Sequence, residues 1–532
     1  MKQLTFFIIL CLSVGKFFAQ DTYGVKVLPS KLTLSYESVN RDGEFIGDTN
    51  DVDSDIGFLG IGVNVFNVIP EYKPIYFGIN SYSAVKGNYP GLITLGVTTG
   101  FKFNLIQNSW NLDTGIFIGA GGGGGARDGG GLIMRPHLTL QKEFDLFSLN
   151  LGVSRIDFLS GSVRGNQITF GLSYNFNSFL KPNNVHHEFS KVLTPSQLFL
   201  KKIQFALAAT GYFNMTNNSI RSASGVNNEL ASSNGVGLIG AQIGLFFNQN
   251  IYGVFKINGA MVGDADGYMS ILLGAGYEKP IVKETLSLNF QAVAGPSGGG
   301  YVETGGGFIS QLETGVTCNI TQNLYVKLLA GKSFAPWGAF NSNHLECSLG
   351  TSLYRMNPKL DPSNMDYKIN NSGLFVNSLK VGIFNRTYFS PDSNDVWGRP
   401  YNDFNLLGFY IKKNLKNNLY LNFATIWAYQ GGYGSYAEGL LGLGYANELI
   451  SGFGYDISCL FGAAGGAAIQ LGNGLTVQSK LGVYKNINDV FRITTSYGKF
   501  IRMSSGNFNP TFLDIGVDFK LEQLFYKKAI KD

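Results

Sequence analysis

Ile93-Thr94-Leu95-Gly96-Val97-Thr98-Thr99-Gly100-Phe101-Lys102-Phe103-Asn104 is the stretch on which the fold turns. Ile93, Leu95, Val97, Thr99, Phe101 and Phe103 fall on one face, and Thr94, Gly96, Thr98, Gly100, Lys102 and Asn104 on the other. A period of two marks a β-strand with unlike faces, because successive side chains leave a pleated strand on opposite sides. The same split returns at Leu132, Met134, Leu138 and Leu140 against Arg135, His137, Thr139 and Gln141. It returns again at Ile168, Phe170, Leu172, Tyr174 and Phe176 against Thr169, Gly171, Ser173 and Asn175.

Working outward, eight such segments fill the first third of the chain, and the same order of landmarks begins near Lys26, Lys202 and Ser378. A glycine-rich stretch anchors each copy: Gly119-Ala120-Gly121 to Gly131, Gly295-Pro296-Ser297 to Gly307, and Gly462-Ala463-Ala464 to Gly474. Upstream of each lies a glycine-aromatic pair, Gly100-Phe101, Gly276-Tyr277 and Gly444-Tyr445. The same landmarks recurring in one order mark a repeated supersecondary unit. The expected division is a leader at 1–20, units at 26–180, 201–356 and 377–521, linkers at 181–200 and 357–376, and a tail at 522–532.

Composition agrees with an all-β chain: among 532 residues are 70 glycines, 14% aromatics and only 14% charged residues. Strand and turn formers dominate over helix formers. The first twenty residues read as a secretory signal, with Lys2 ahead of the apolar run Phe6 to Val14 and a polar start at Asp21. That run is too short for a spanning helix, which needs roughly 20 apolar residues. The net charge of +5 includes Lys2 and Lys16 of the leader, and gives no footing for nucleic acid.

Long connections (40–55, 121–130, 159–166) alternate with short ones (106–109, Asp145-Leu146). With strands of about ten residues, the whole chain past the leader resembles the Gram-negative outer-membrane β-barrel proteins. The resemblance implies an up-and-down transmembrane barrel in outer-membrane lipid, with long loops outside the cell and tight turns in the periplasm. It departs from many such proteins in the residues that follow the last strand, Leu513 to Leu521. Twenty-four strands allow one wide barrel or three small ones. The polar, proline-punctuated linkers favour three, since an eight-stranded barrel starts and ends on the same side.

Aligning the copies on their glycine stretches puts polar residues at equivalent inward positions. Asp113 corresponds to Asn289 and Asp456, Arg135 to Gln311 and Gln478, and His137 to Glu313 and Lys480. Neighbouring antiparallel strands would bring Asp113 to Arg135 or His137, and Asp456 to Lys480. The structural reading is mutual satisfaction in a dry interior; the functional reading is a solute-selecting lumen. The glycine stretches read as extracellular loops, free or folded inward.

No metal, cofactor or catalytic set emerges. Cys318, Cys347 and Cys459 are scattered and read as small apolar strand residues. The GxGxxG-like and GxSxG-like matches lack a following helix, and Gly331-Lys332-Ser333 lacks the earlier glycine of a phosphate loop. His186, His187 and Glu188 in the first linker offer at most a weak metal site. Three functions follow in order: a pore, passive transport route or component of a transport assembly; a scaffold presenting the loops 40–55, 215–234 and 390–403; and a membrane hydrolase resting on His137 or His344.

Overall fold

In a computed structural model of the chain, the described residues are 26–39, 56–67, 74–106, 109–180, 191–193, 200–216, 219–220, 235–263, 265, 267–282, 285–356, 367–369, 374–390, 393–415, 417–488 and 490–526. The expected leader, the loop 40–55, most of 215–234, the cluster His186, His187 and Glu188, and the last residues of the tail lie outside them.

Twenty-four antiparallel strands form three closed barrels of eight. In the first, strand Lys26–Val39 pairs with Arg164–Leu180, placing Lys31 opposite Asn175 and Leu34 opposite Leu172. In the second, Leu200–Phe213 pairs with Asn341–Met356, with Ala208 opposite Ser348. In the third, Leu374–Phe389 pairs with Thr511–Tyr526, with Ile383 opposite Val517. Closing each meander on itself pairs the ladders at its two ends and removes the open edge. The last strand continues five residues past Leu521, because Glu522 to Tyr526 find partners in Ser378 to Leu374.

The period-two pattern sorts the side chains. Thr94 and Thr98 are buried inside the first barrel, whereas Phe101 and Phe103 are 47% exposed outside it. Ile168, Phe170 and Leu172 of strand Arg164–Leu180 likewise stand out from the wall. Each barrel carries a register shift in its second strand pair, at Gly57/Phe58, Gly237/Leu238 and Asn405/Leu406. Each carries another in its fourth pair, at Asn104/Ile106, Pro280/Val282 and Glu448/Ile450. Such bulges bend and twist a strand locally, which helps a small barrel close.

The barrels also touch one another. At the short-turn end, Tyr354 and Arg355 pair with Tyr526 and Phe525, and Leu180 pairs with Gln523. The two linkers contribute a parallel ribbon in which Lys191–Leu193 runs beside Tyr367–Ile369. No helix among the described residues is long and apolar enough to cross a membrane.

Candidate functional site

Eight strands leave an interior that side chains can fill, and each barrel fills it in two layers. The layer near the long loops is apolar. In the first barrel Phe58, Phe117 and Phe158 pack with Tyr89, Leu92 and Val163, which the loops fold over the mouth. Tyr212, Tyr268, Val302 and Phe340 do the same in the second, and Tyr388, Tyr401, Tyr433 and Phe508 in the third.

Below this layer the inward positions carry charge, paired inside each barrel. Arg135 grips Glu37, Nη2 to Oε2 at 2.8 Å and Nε to Oε1 at 3.0 Å, while Ser154 and Thr169 donate to the same carboxylate. The guanidinium lies 4.4 Å from the centre of the Tyr82 ring. Asp113 accepts from Tyr76 at 2.7 Å and Gln141 at 2.8 Å, with His137 Nε2 at 3.5 Å. Asp113 therefore meets His137, and Arg135 reaches across the barrel to a residue ninety-eight positions upstream.

In the second barrel Lys256 sits between Glu313 (2.6 Å) and Glu346 (2.9 Å). Asn289 accepts from Tyr252 at 2.6 Å, and Gln311 donates to the Tyr212 hydroxyl at 2.8 Å. In the third, Arg386 makes a two-pronged contact to Asp514 and donates to Gln478, whose amide donates to Glu438. Lys480 donates to Asp514 at 3.2 Å, and Asp456 accepts from Lys412 at 2.9 Å with Lys480 nearby. The sequence reading missed Glu37, Lys256, Glu346, Arg386, Glu438 and Asp514. Their signal was available: each is a charged residue inside a strand of otherwise alternating pattern.

One cluster has the order of a hydrolytic triad. Ser333 Oγ is 2.9 Å from His344 Nδ1, and His344 Nε2 is 3.0 Å from Glu313. A nucleophile needs room for a reacting carbonyl and donors for the oxyanion beside it. Here Ser333 and His344 have no exposed surface, and Glu313 is already committed to Lys256. The cluster satisfies polar groups in a dry core. Among the described residues no group of three metal-ligating side chains occurs, and Cys318, Cys347 and Cys459 are free thiols on the outer faces.

The glycine stretches serve contacts between barrels. Gly91, with φ of 90°, lies so near the second barrel's glycine stretch that an added Cβ would come 2.5 Å from Gly299 N. At the next seam a Cβ on Gly267 would stand 3.1 Å from Gly466 N, and at the last a Cβ on Gly434 would stand 2.7 Å from Gly131 N. First meets second, second meets third, third meets first. Asp128 lies in the last seam, where its carboxylate accepts from Gly123 N at 2.9 Å. Burial pushes that carboxyl up to about 6, against the opposing pull of the Gly123 amide.

Beneath the seams, outward side chains of all three barrels meet in one apolar cluster that includes Ile61, Leu95, Ile271, Leu273, Leu407 and Trp427. The same faces border a cavity of about 3420 Å³, walled by residues such as Leu28, Val65, Phe205, Leu245, Leu379 and Leu421 and reaching the long loops at Tyr301 and Trp397. Ser333, His344 and Arg135 do not line it.

No family model matches the chain, and no curated protein matches it. Its structural neighbours are Gram-negative outer-membrane β-barrel proteins. The siderophore receptor PirA from Acinetobacter baumannii aligns over 94% of this chain and 81% of its own, at 8% identity and a TM-score of 0.27. OccK11 (OpdR) from Pseudomonas aeruginosa aligns over 95% and 99%, at 10% identity and a TM-score of 0.22. OpdQ from the same organism aligns over 94% and 98%, at 9% identity and a TM-score of 0.20.

Proposed function

We propose that the chain is a non-enzymatic outer-membrane protein, exported through its leader, in which three repeated, filled barrels serve as walls. Its working space is the apolar cavity they enclose. The outward belts of leucine, isoleucine and phenylalanine suit a hydrocarbon surround, and the long loops then face outward and the short turns the periplasm. The observation that carries the reading is the pairing of polar walls inside each barrel under an apolar cap. Such lumens offer water no continuous path, so a transport role falls to the space between barrels and to apolar molecules. The inward residues Asp113, Arg135, His137, Asn289, Gln311, Glu313, Asp456, Gln478 and Lys480 are then structural and select no solute. In proteoliposomes the folded protein should admit no small sugar yet bind an apolar dye such as N-phenylnaphthylamine. Filling the cavity with Val65→Phe and Leu245→Phe should abolish the dye signal. Sugar-driven swelling, or dye binding indifferent to these substitutions, would count against it.

A second reading, a scaffold that presents its loops to a partner, is favoured by Trp337 and Trp397, 67% and 66% exposed at the long-loop end. Exposed tryptophans of this kind are frequent anchors of interfaces. Loss of cell-surface partner capture in Trp337→Ala and Trp397→Ala, with dye binding intact, would separate this role from the first.

A further inference from the structure

We infer, resting on the reading of the cavity as the working space, that its long-loop end is the mouth by which apolar molecules enter, and that Tyr301 and Trp397 receive them. The three glycine stretches, aligned as above, turn at equivalent places: Gly124-Gly125, Gly300-Tyr301 and Ala467-Ala468. All six residues take the left-handed backbone, with φ between 54° and 73°, and all six line the cavity. Each barrel thus sets one turn tip at the same end of the space. Glycine adopts this conformation freely, whereas a bulky side chain does so rarely. Among the described residues Tyr301 is the only aromatic with such a backbone. It is 58% exposed, so burial of its ring does not offset the strain, and strain of this kind gathers where a side chain has a task.

The third barrel places Trp397 beside its own tip, since Val396 N donates to Ala468 O at 3.1 Å. The turn that carries the tryptophan is fixed. Buried Asp395 accepts from Trp397 N and Arg399 N at 2.9 Å each and from Arg399 Nε at 2.8 Å. The guanidinium lies 4.4 Å from the centre of the indole and covers one face of it. Asp395 and Arg399 neutralise each other, so Val396 and Trp397, exposed and lining the cavity, present apolar surface there. The first barrel offers Gly125, where an added Cβ would meet no atom within 4 Å. The ring of tips therefore has an aromatic on two sides and free space on the third. At the opposite end, backbone pairing ties the third barrel to both others, Tyr354 to Tyr526 and Leu180 to Gln523. A molecule entering among the loops passes the seams and meets the inter-barrel cluster, where Trp427 is buried.

Trp427 reports arrival, since it belongs to that cluster and lines the cavity. Trp110→Phe, Trp337→Phe and Trp397→Phe leave it as the sole tryptophan, and bromobenzene, an uncharged contact quencher, is mixed with proteoliposomes of this protein in a stopped-flow cell. Tyr301→Asp, with Trp397→Asp in place of the phenylalanine, sets two carboxylates in the mouth at exposed positions. An apolar molecule that passes must strip water from both, so quenching should slow by at least about tenfold while its final extent is unchanged. Leu324→Asp with Val490→Asp, on the cavity lining at the short-turn end, should leave the rate as it was. Heat-modifiable mobility certifies that each variant is folded, and Trp397→Asp alone serves if the pair is not. An unchanged rate in the loop variant, or equal slowing by the short-turn pair, would overturn the mouth and leave the cavity reading standing. Trp427 that is never quenched would bring down the cavity reading and the mouth together.

Discussion

At the scale of residues, stability rests on charges that have only one another. Glu37 has no exposed surface and Arg135 almost none, so removing one partner strands the other in a dry core. Arg135→Leu should cost about 3–5 kcal/mol, and Glu37→Leu added to it should recover most of the loss. Urea unfolding in lipid vesicles, followed by intrinsic fluorescence, measures both. Asp128 adds a pH dependence. Its folded value near 6 lies above the ordinary 3.8, so the seam it occupies is strongest below about pH 4 and weakens as pH rises through 6. Asp128→Asn should hold the seam at its low-pH strength up to neutrality, seen as a loss of pH dependence in the thermal transition of Trp427 emission. That charged residues face inward was readable from their phase within the strands. Their partners were not, because inward residues of a narrow barrel converge on its axis. Arg135 therefore met Glu37 across the lumen, where adjacent-strand logic had offered Asp113 to either Arg135 or His137, and Asp456 took its direct bond from Lys412 with Lys480 nearby.

At the scale of elements, the glycine stretches let the backbones of neighbouring barrels approach each other. Gly91→Val places a branched side chain at φ of 90° and against Gly299. The strained backbone alone costs of order 1–3 kcal/mol. The seam between first and second barrels should open, making the loops sensitive to protease while the strands remain resistant. The strands themselves were legible because alternation such as Leu95 against Thr94 reports the pleat directly. The role of the glycines was not. A glycine run reads the same in a free loop and in a tight seam, and the atoms that demand it lie in another barrel.

At the scale of the molecule, three filled barrels stand in a closed ring of contacts around one apolar space. The count of strands and the two linkers pointed to separate closure, since a single meander would have needed tight turns there. The space between the barrels had no sequence signature, because its wall is the same outward apolar face that elsewhere suits lipid. Filled lumens and an apolar centre have one direct electrical consequence. Single-channel recording of the refolded protein in a planar bilayer should show no stable conductance step, with heat-modifiable mobility certifying that the barrels are folded. A large, steady, ohmic conductance from that same material would contradict the account.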